Sequence, residues 1–79
     1  MYIIIGSTSC SICDEAANFL DEHNRAYKKL NIDELEPIKK LTWTKFLNEE
    51  IGTNSVPQVF YHIGGFDALR QKVFMEEYQ

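Results

Sequence analysis

The stretch Tyr2-Ile3-Ile4-Ile5-Gly6-Ser7-Thr8-Ser9-Cys10-Ser11-Ile12-Cys13 decides how this 79-residue chain is read. Tyr2 to Ile5 is a short aromatic and β-branched run, the composition of a strand covered on both faces, and Gly6-Ser7-Thr8-Ser9 breaks it. After the break the pattern predicts a helix over 11–23, with Ser9 as its cap and Ser11 with Asp14 as a capping-box pair. Ile12, Ala16, Phe19 and Leu20 are its expected core face. The two cysteines of the chain, Cys10 and Cys13, therefore fall where strand becomes helix. Cys10 meets the unpaired amides and the positive end of the helix dipole, so it is the expected thiolate, the form that attacks disulfides. Cys13, one turn further and among apolar residues, is expected to stay protonated until it resolves a mixed disulfide.

Three other readings of the pair stay open at this point. A structural disulfide would close a ring over only two intervening residues, which restrains the unfolded chain little. A zinc site would need four ligands, and the remaining candidates, His23 and His62, lie far apart in sequence. Two unrelated buried cysteines are the bland alternative.

Composition narrows the class. One domain spanning 1–79 is expected, with 44% hydrophobic and 25% charged residues, ordinary for a folded globule. A net charge of −4 without a basic cluster argues against nucleic-acid binding. No apolar stretch reaches the ~18–20 residues of a membrane span, and the N-terminus lacks the pattern of a signal peptide, so a cytoplasmic protein is expected. Two cysteines do not make a secreted disulfide framework.

Further along, a second strand is predicted over 27–32, parallel to the first because a helix joins them. Pro37 suits the first turn of a second helix whose core face is Ile38, Leu41, Phe46 and Leu47, split in two around Thr42-Trp43-Thr44 and stopped at Gly52. Val56 to Tyr61 reads as a third strand, and 66–78 as a last helix with Phe66, Leu69 and Val73 on one side. The order is β-α-β-α-β-α. Proline within a sheet removes a ladder hydrogen bond, so Val56-Pro57 at the head of that strand calls for a reason. A cis bond there would turn the Val56 N–H and C=O outward toward an extended peptide; a trans proline leading out of the 52–55 loop is the plain alternative. Asp67 and the amides around it could hold the two charges of a zwitterion, or simply cap a helix. Phe66 and Trp43 read as core or rim residues, and His23 and His62 carry no assigned chemistry.

Three motifs in this order, Cys-x-x-Cys at 10–13, Ser-Val-Pro-Gln at 55–58 and His-Ile-Gly-Gly-Phe-Asp at 62–67, resemble the glutaredoxins of the thioredoxin superfamily. The resemblance spans nearly the whole chain and is greatest to the short glutaredoxins of large bacteriophages. It implies an α/β, thioredoxin-like (glutaredoxin) fold, β-α-β-α-β-(β)-α, with a small central mixed sheet flanked by helices. It also implies a thiol–disulfide oxidoreductase that works with glutathione on protein disulfides or glutathione mixed disulfides, as a monomer in the cytoplasm, the host's if phage-encoded.

By the same resemblance Cys10 attacks and Cys13 resolves, while Ser55, Val56 and Pro57 hold the cysteinyl part of glutathione. Gly65, Phe66 and Asp67 hold its glutamyl end. Ribonucleotide reductase is the implied protein target, and glutathione or thioredoxin reductase the electron source. A glutathione-ligated [2Fe–2S] carrier and a non-catalytic peptide-binding module are the alternatives. The chain departs from the family in three places. Ser11-Ile12 replaces the common Pro-Tyr between the cysteines, and no lysine precedes Cys10, which leaves Lys39 or Lys40 for the glycyl carboxylate of glutathione. The connection from Pro57 to Gly64 is too short for a full hairpin, so the fourth strand is expected to be vestigial.

Overall fold

β1 (Tyr2–Gly6) is the middle strand of the sheet in the computed structural model, which describes residues 1–78. β2 (Tyr27–Asn31) pairs with it in parallel, from Tyr2 opposite Tyr27 to Gly6 opposite Asn31. β3 (Gln58–Tyr61) pairs antiparallel on its other edge, from Ile5 opposite Gln58 to Tyr2 opposite Tyr61. The expected mixed sheet thus forms with the order β2-β1-β3. The parallel pair is joined by α1 (Ser11–Glu22), the crossover such a pair requires. β1 has a strand on each edge and is covered on each face, which is why Ile4 and Ile5 are both fully buried although they point opposite ways.

On the Ile4 face, Ala17 and Leu20 of α1 complete a small core, with Tyr2, Ala16 and Tyr27 packed around it. The buried stripe of α1 is Cys13, Ala17 and Leu20, one position on from the expected Ile12, Ala16, Phe19 and Leu20. Ile12 and Phe19 are instead about 60% exposed (60% and 59%). The orientation of the helix follows from Cys13, which has to face the sheet above Gly6, and with it the residues four and seven places on. Phe19 packs on the ring of His23, centroids 4.3 Å apart. The helix stops at His23, and Asn24 takes a left-handed turn (φ 56°) that lets Arg25 donate to the Leu20 carbonyl at 2.9 Å.

The Ile5 face is closed by the second helix. After a 3-10 turn at Ile32–Glu34, α2 (Pro37–Phe46) opens on Pro37 as expected and runs unbroken through Thr42-Trp43-Thr44. The predicted split does not occur, since the Thr42 hydroxyl donates to the Ile38 carbonyl (2.8 Å) and is satisfied within the helix. α2 then widens into a π-helical turn, Leu47–Ile51, ending at Gly52 in a left-handed conformation (φ 89°). Its expected core face is only partly used: Leu47 is fully buried, but Ile38 is 80% exposed and Leu41 also faces solvent. The helix meets the sheet by its C-terminal end, where the Phe46 ring lies 6.4 Å from Phe60.

β3 begins at Gln58 rather than Val56. Beyond Tyr61, His62 donates to the Met1 carbonyl at 2.9 Å and receives the N-terminal ammonium at 3.2 Å. The chain then turns at Gly64 (φ 117°) into α3 (Phe66–Glu77). Among the described residues, 62–65 occupy the place of the fourth strand without forming one. Phe66, Leu69 and Val73 do share one side of α3, and they line a shallow groove there. That side stays largely exposed, because the shortened connection supplies no second hairpin strand for the helix to pack across.

Candidate active site

Cys10 is itself the N-cap of α1, with extended backbone (φ −109°, ψ 105°) and its sulfur accepting the Cys13 N–H at 3.1 Å. The Asp14 N–H donates to the Cys10 carbonyl, closing the first turn. Neither Ser9 nor the Ser11–Asp14 pair performs the capping expected of them. The Cys10 sulfur has the amide that a serine hydroxyl would have taken, and the Asp14 carboxylate turns to Lys29 on β2 (2.7 Å). An amide of the helix end thus points at Cys10 Sγ, the arrangement that stabilises a thiolate there when the pair is reduced.

The two cysteines are closed as a disulfide, their Cα atoms 5.2 Å apart. Cys10 is partly exposed and Cys13 has no accessible surface, so an incoming partner reaches only the first. The burial of Cys13 depends on Gly6. A methyl group at Gly6 would stand 2.9 Å from Cys13 Sγ and 3.1 Å from its Cβ. In the sequence Gly6 reads as a strand breaker, whereas here it is the last residue of β1 and leaves the space the sulfur occupies.

The loop ahead of Cys10 is held from β2's end. The Thr8 N–H donates to Asp33 Oδ1 at 3.0 Å, and the Thr8 hydroxyl donates to Asp33 Oδ2. The hydrogen bond from the Thr8 hydroxyl, ahead of that from its amide and the charge of Lys40, holds the Asp33 carboxyl below the usual aspartate range. Nothing in the sequence singled out Asp33 or Thr8, because a pairing across 25 positions leaves no local pattern.

The Val56–Pro57 bond is cis. With Ile5 opposite Gln58, the next position outward sets Pro57 beside Gly6, at the end of the sheet from which the chain runs to Cys10. Val56 N–H and C=O have no partner among the described residues. Gln58 braces this segment, its side-chain amide donating to the Ser55 carbonyl at 2.8 Å. Ser55, Val56 and Pro57 thus share one end of the sheet with Cys10 and Cys13. Gly65, Phe66 and Asp67 come after β3, whose run along β1 ends with the pairing of His62 and Met1. Gly65 is the N-cap of α3, Asp67 lies in its first turn, and Arg70 lies over the Phe66 ring at 5.7 Å. No hydrogen bond or ion pair among the described residues joins this segment to the cysteines. His23, considered for zinc, has its Nδ1 at 2.8 Å from the Phe19 carbonyl.

A three-stranded mixed sheet with a Cys-x-x-Cys disulfide capping its crossover helix defines a thioredoxin-like dithiol protein. A family model described as Glutaredoxin matches residues 2–65. Among curated proteins, Glutaredoxin 1 of Rickettsia conorii is 36% identical over 70 residues, covering 85% of this chain and 66% of that protein. Glutaredoxin 1 of Rickettsia prowazekii is 34% identical, covering 85% and 70%. The chain thus spans about two thirds of these relatives' length. Among solved structures, a buckwheat glutaredoxin–glutathione complex superposes with a TM-score of 0.68 at 23% identity, covering 95% of this chain and 69% of that one. The holo form of glutaredoxin C1 from Populus tremula x tremuloides gives 0.65 at 28% identity, covering 96% and 69%. The chain belongs to the glutaredoxin family, whose members are thiol–disulfide oxidoreductases.

Proposed function

We propose that this chain is a glutathione-linked thiol–disulfide oxidoreductase in which Cys10 is the nucleophile and Cys13 the resolving thiol. The observation that carries the reading is the asymmetry of the pair. One sulfur is accessible at a helix N-terminus and the other is sealed against Gly6, so attack and resolution are divided by position. Cys10 thiolate attacks a substrate disulfide, one substrate sulfur leaves as thiolate, and the other remains bonded to Cys10. Cys13 then loses its proton and attacks Cys10 Sγ, releasing the second sulfur and closing the disulfide. Two glutathione molecules, or a reductase, return the two electrons.

Val56 supplies the extended edge for the cysteinyl part of glutathione, flanked by Ser55 and Pro57, and Lys39 or Lys40 is the proposed partner of its glycyl carboxylate. The buckwheat glutaredoxin–glutathione complex, which shares this fold, supports glutathione as the ligand. Holding the glutamyl end at Gly65–Asp67 requires the N-terminus of α3 to reach the Cys10 end of the sheet. Substituting Asp67 and measuring KM for glutathione decides whether it does.

Disulfide reduction coupled to glutathione, run beside the same reaction coupled to thioredoxin reductase, names the electron source. Unchanged rates after Cys10→Ser would leave a peptide-binding module instead. Ribonucleotide reductase is the proposed protein target, following the resemblance to phage glutaredoxins, and failure to sustain its turnover removes that assignment. Purification without oxygen tests the [2Fe–2S] alternative: a brown dimer supports the carrier, a colourless monomer the oxidoreductase. Action in the cytoplasm completes the proposal.

A further inference from the structure

Asn31 closes β2 opposite Gly6, on the sheet face covered by α1. Its side-chain nitrogen donates to Glu34 Oε1 at 2.6 Å, across the 3-10 turn. A carboxylate only accepts, so this bond fixes which end of the carboxamide faces inward: it is the oxygen. That oxygen is buried and has no hydrogen-bond partner among the described residues. A buried acceptor without a donor is costly, and such a group calls for a state in which a donor arrives.

The donor is identified by what borders the same space. A methyl group at Gly6 would stand 2.9 Å from Cys13 Sγ and 3.6 Å from Asn31 Oδ1, so the sulfur and the orphaned oxygen border the same position above Gly6. In the disulfide, Cys13 Sγ carries no hydrogen and can offer nothing. Reduction adds two electrons to the sulfur–sulfur bond. With Cys10 left as thiolate, one proton is taken up, and it resides on Cys13.

We infer that Asn31 is a positioning residue of the dithiol state, its carboxamide oxygen accepting the S–H of reduced Cys13. The inference rests on the dithiol chemistry proposed above and adds to it a residue that touches neither substrate nor Cys10. Two consequences follow. Accepting from the neutral thiol favours it over its anion, which keeps the negative charge on Cys10. The bond also exists only after reduction, so it stabilises the dithiol relative to the disulfide. When Cys13 attacks Cys10 Sγ, its proton leaves for water or the departing thiolate and the oxygen is orphaned again, as seen here.

The test equilibrates the whole chain with dithiothreitol and its oxidised form and compares Asn31→Leu with the parent. The expected result is a shift of about tenfold toward the disulfide, about 30 mV toward more negative potential. A constant within about twofold of the parent overturns the inference. A second measurement does not depend on Asn31→Leu folding. In a Cys10→Ala chain with Asn31 intact, the Cys13 S–H stretching band should lie at the lower frequency of a hydrogen-bonded thiol, and a free-thiol band overturns the inference. Neither measurement requires turnover, so a chain inactive with glutathione would defeat the proposed function without deciding this point.

Discussion

Placing a methyl group on Gly6 tests the packing on which the dithiol pair depends. In Gly6→Ala the new carbon would meet Cys13 Sγ at 2.9 Å and Cβ at 3.1 Å, and Cys13 is fully buried with its sulfur tied to Cys10. Neither atom can withdraw without moving the first turn of α1. Overpacking of this kind costs about 1–3 kcal/mol. Glycine replacement returns about 0.4–1 kcal/mol by restricting the unfolded chain. The net loss expected of the oxidised form is therefore centred on about 1.3 kcal/mol, or roughly 5–10 °C in Tm for a domain of this size. In the dithiol the Cys13 sulfur is no longer tied to Cys10 and can shift slightly while still donating to Asn31 Oδ1, so the reduced form loses less. The redox equilibrium should consequently move toward the dithiol, by up to about tenfold, opposite in sign to the shift expected for Asn31→Leu. Urea unfolding of both redox forms followed by circular dichroism measures the first effect, and a dithiothreitol redox titration the second. An oxidised Gly6→Ala chain within about 0.3 kcal/mol of the parent, or a reduced form that loses more than the oxidised one, would refute the reasoning.

Alkylation of the reduced chain at neutral pH should consume Cys10 first and faster than free cysteine, and Cys10→Ser should abolish disulfide reduction, whereas Cys13→Ser should still form mixed disulfides with glutathione; mass spectrometry of the trapped adducts separates the two. Asp33 has a carboxyl held below its ordinary range by Thr8, so it contributes stability that is present above the unfolded pKa and lost as pH falls through the lower folded one. Asp33→Asn should accordingly flatten the acid limb of stability below about pH 4, read from urea midpoints across that limb. Leu47→Ala should cost about 2–5 kcal/mol because Leu47 is fully buried, whereas Ile38→Ala should stay within about 0.5 kcal/mol; equal losses in thermal unfolding would contradict the packing of α2.

The order of elements, the strand-to-helix junction at Cys10 and the break at Gly52 were legible because each depends on neighbours a few positions away: a β-branched run, a break, a proline at a first turn. So was the unequal placement of the two cysteines, one capping the helix and one a turn inside it, which needs only a helix beginning between them. Helix orientation was not legible. Ile12 and Phe19 fit an apolar stripe as well as Cys13 and Ala17 do, and the choice fell to the fit of one sulfur over the glycine that ends β1. Along α2, Leu47 is buried and Ile38 is not because only the end of the helix reaches the sheet.

What the linear chain determined by itself is the chemistry available: two thiols, their spacing, and the dipole that makes them unequal. Tertiary structure alone decided the surroundings of those thiols. Asn31 and Asp33 come to the site from a strand end and a turn distant in sequence, and Gly6 meets Cys13 only because α1 packs back on β1. Local propensity can say that a strand forms, but which residues then stand beside a sulfur depends on contacts that no short window of sequence contains.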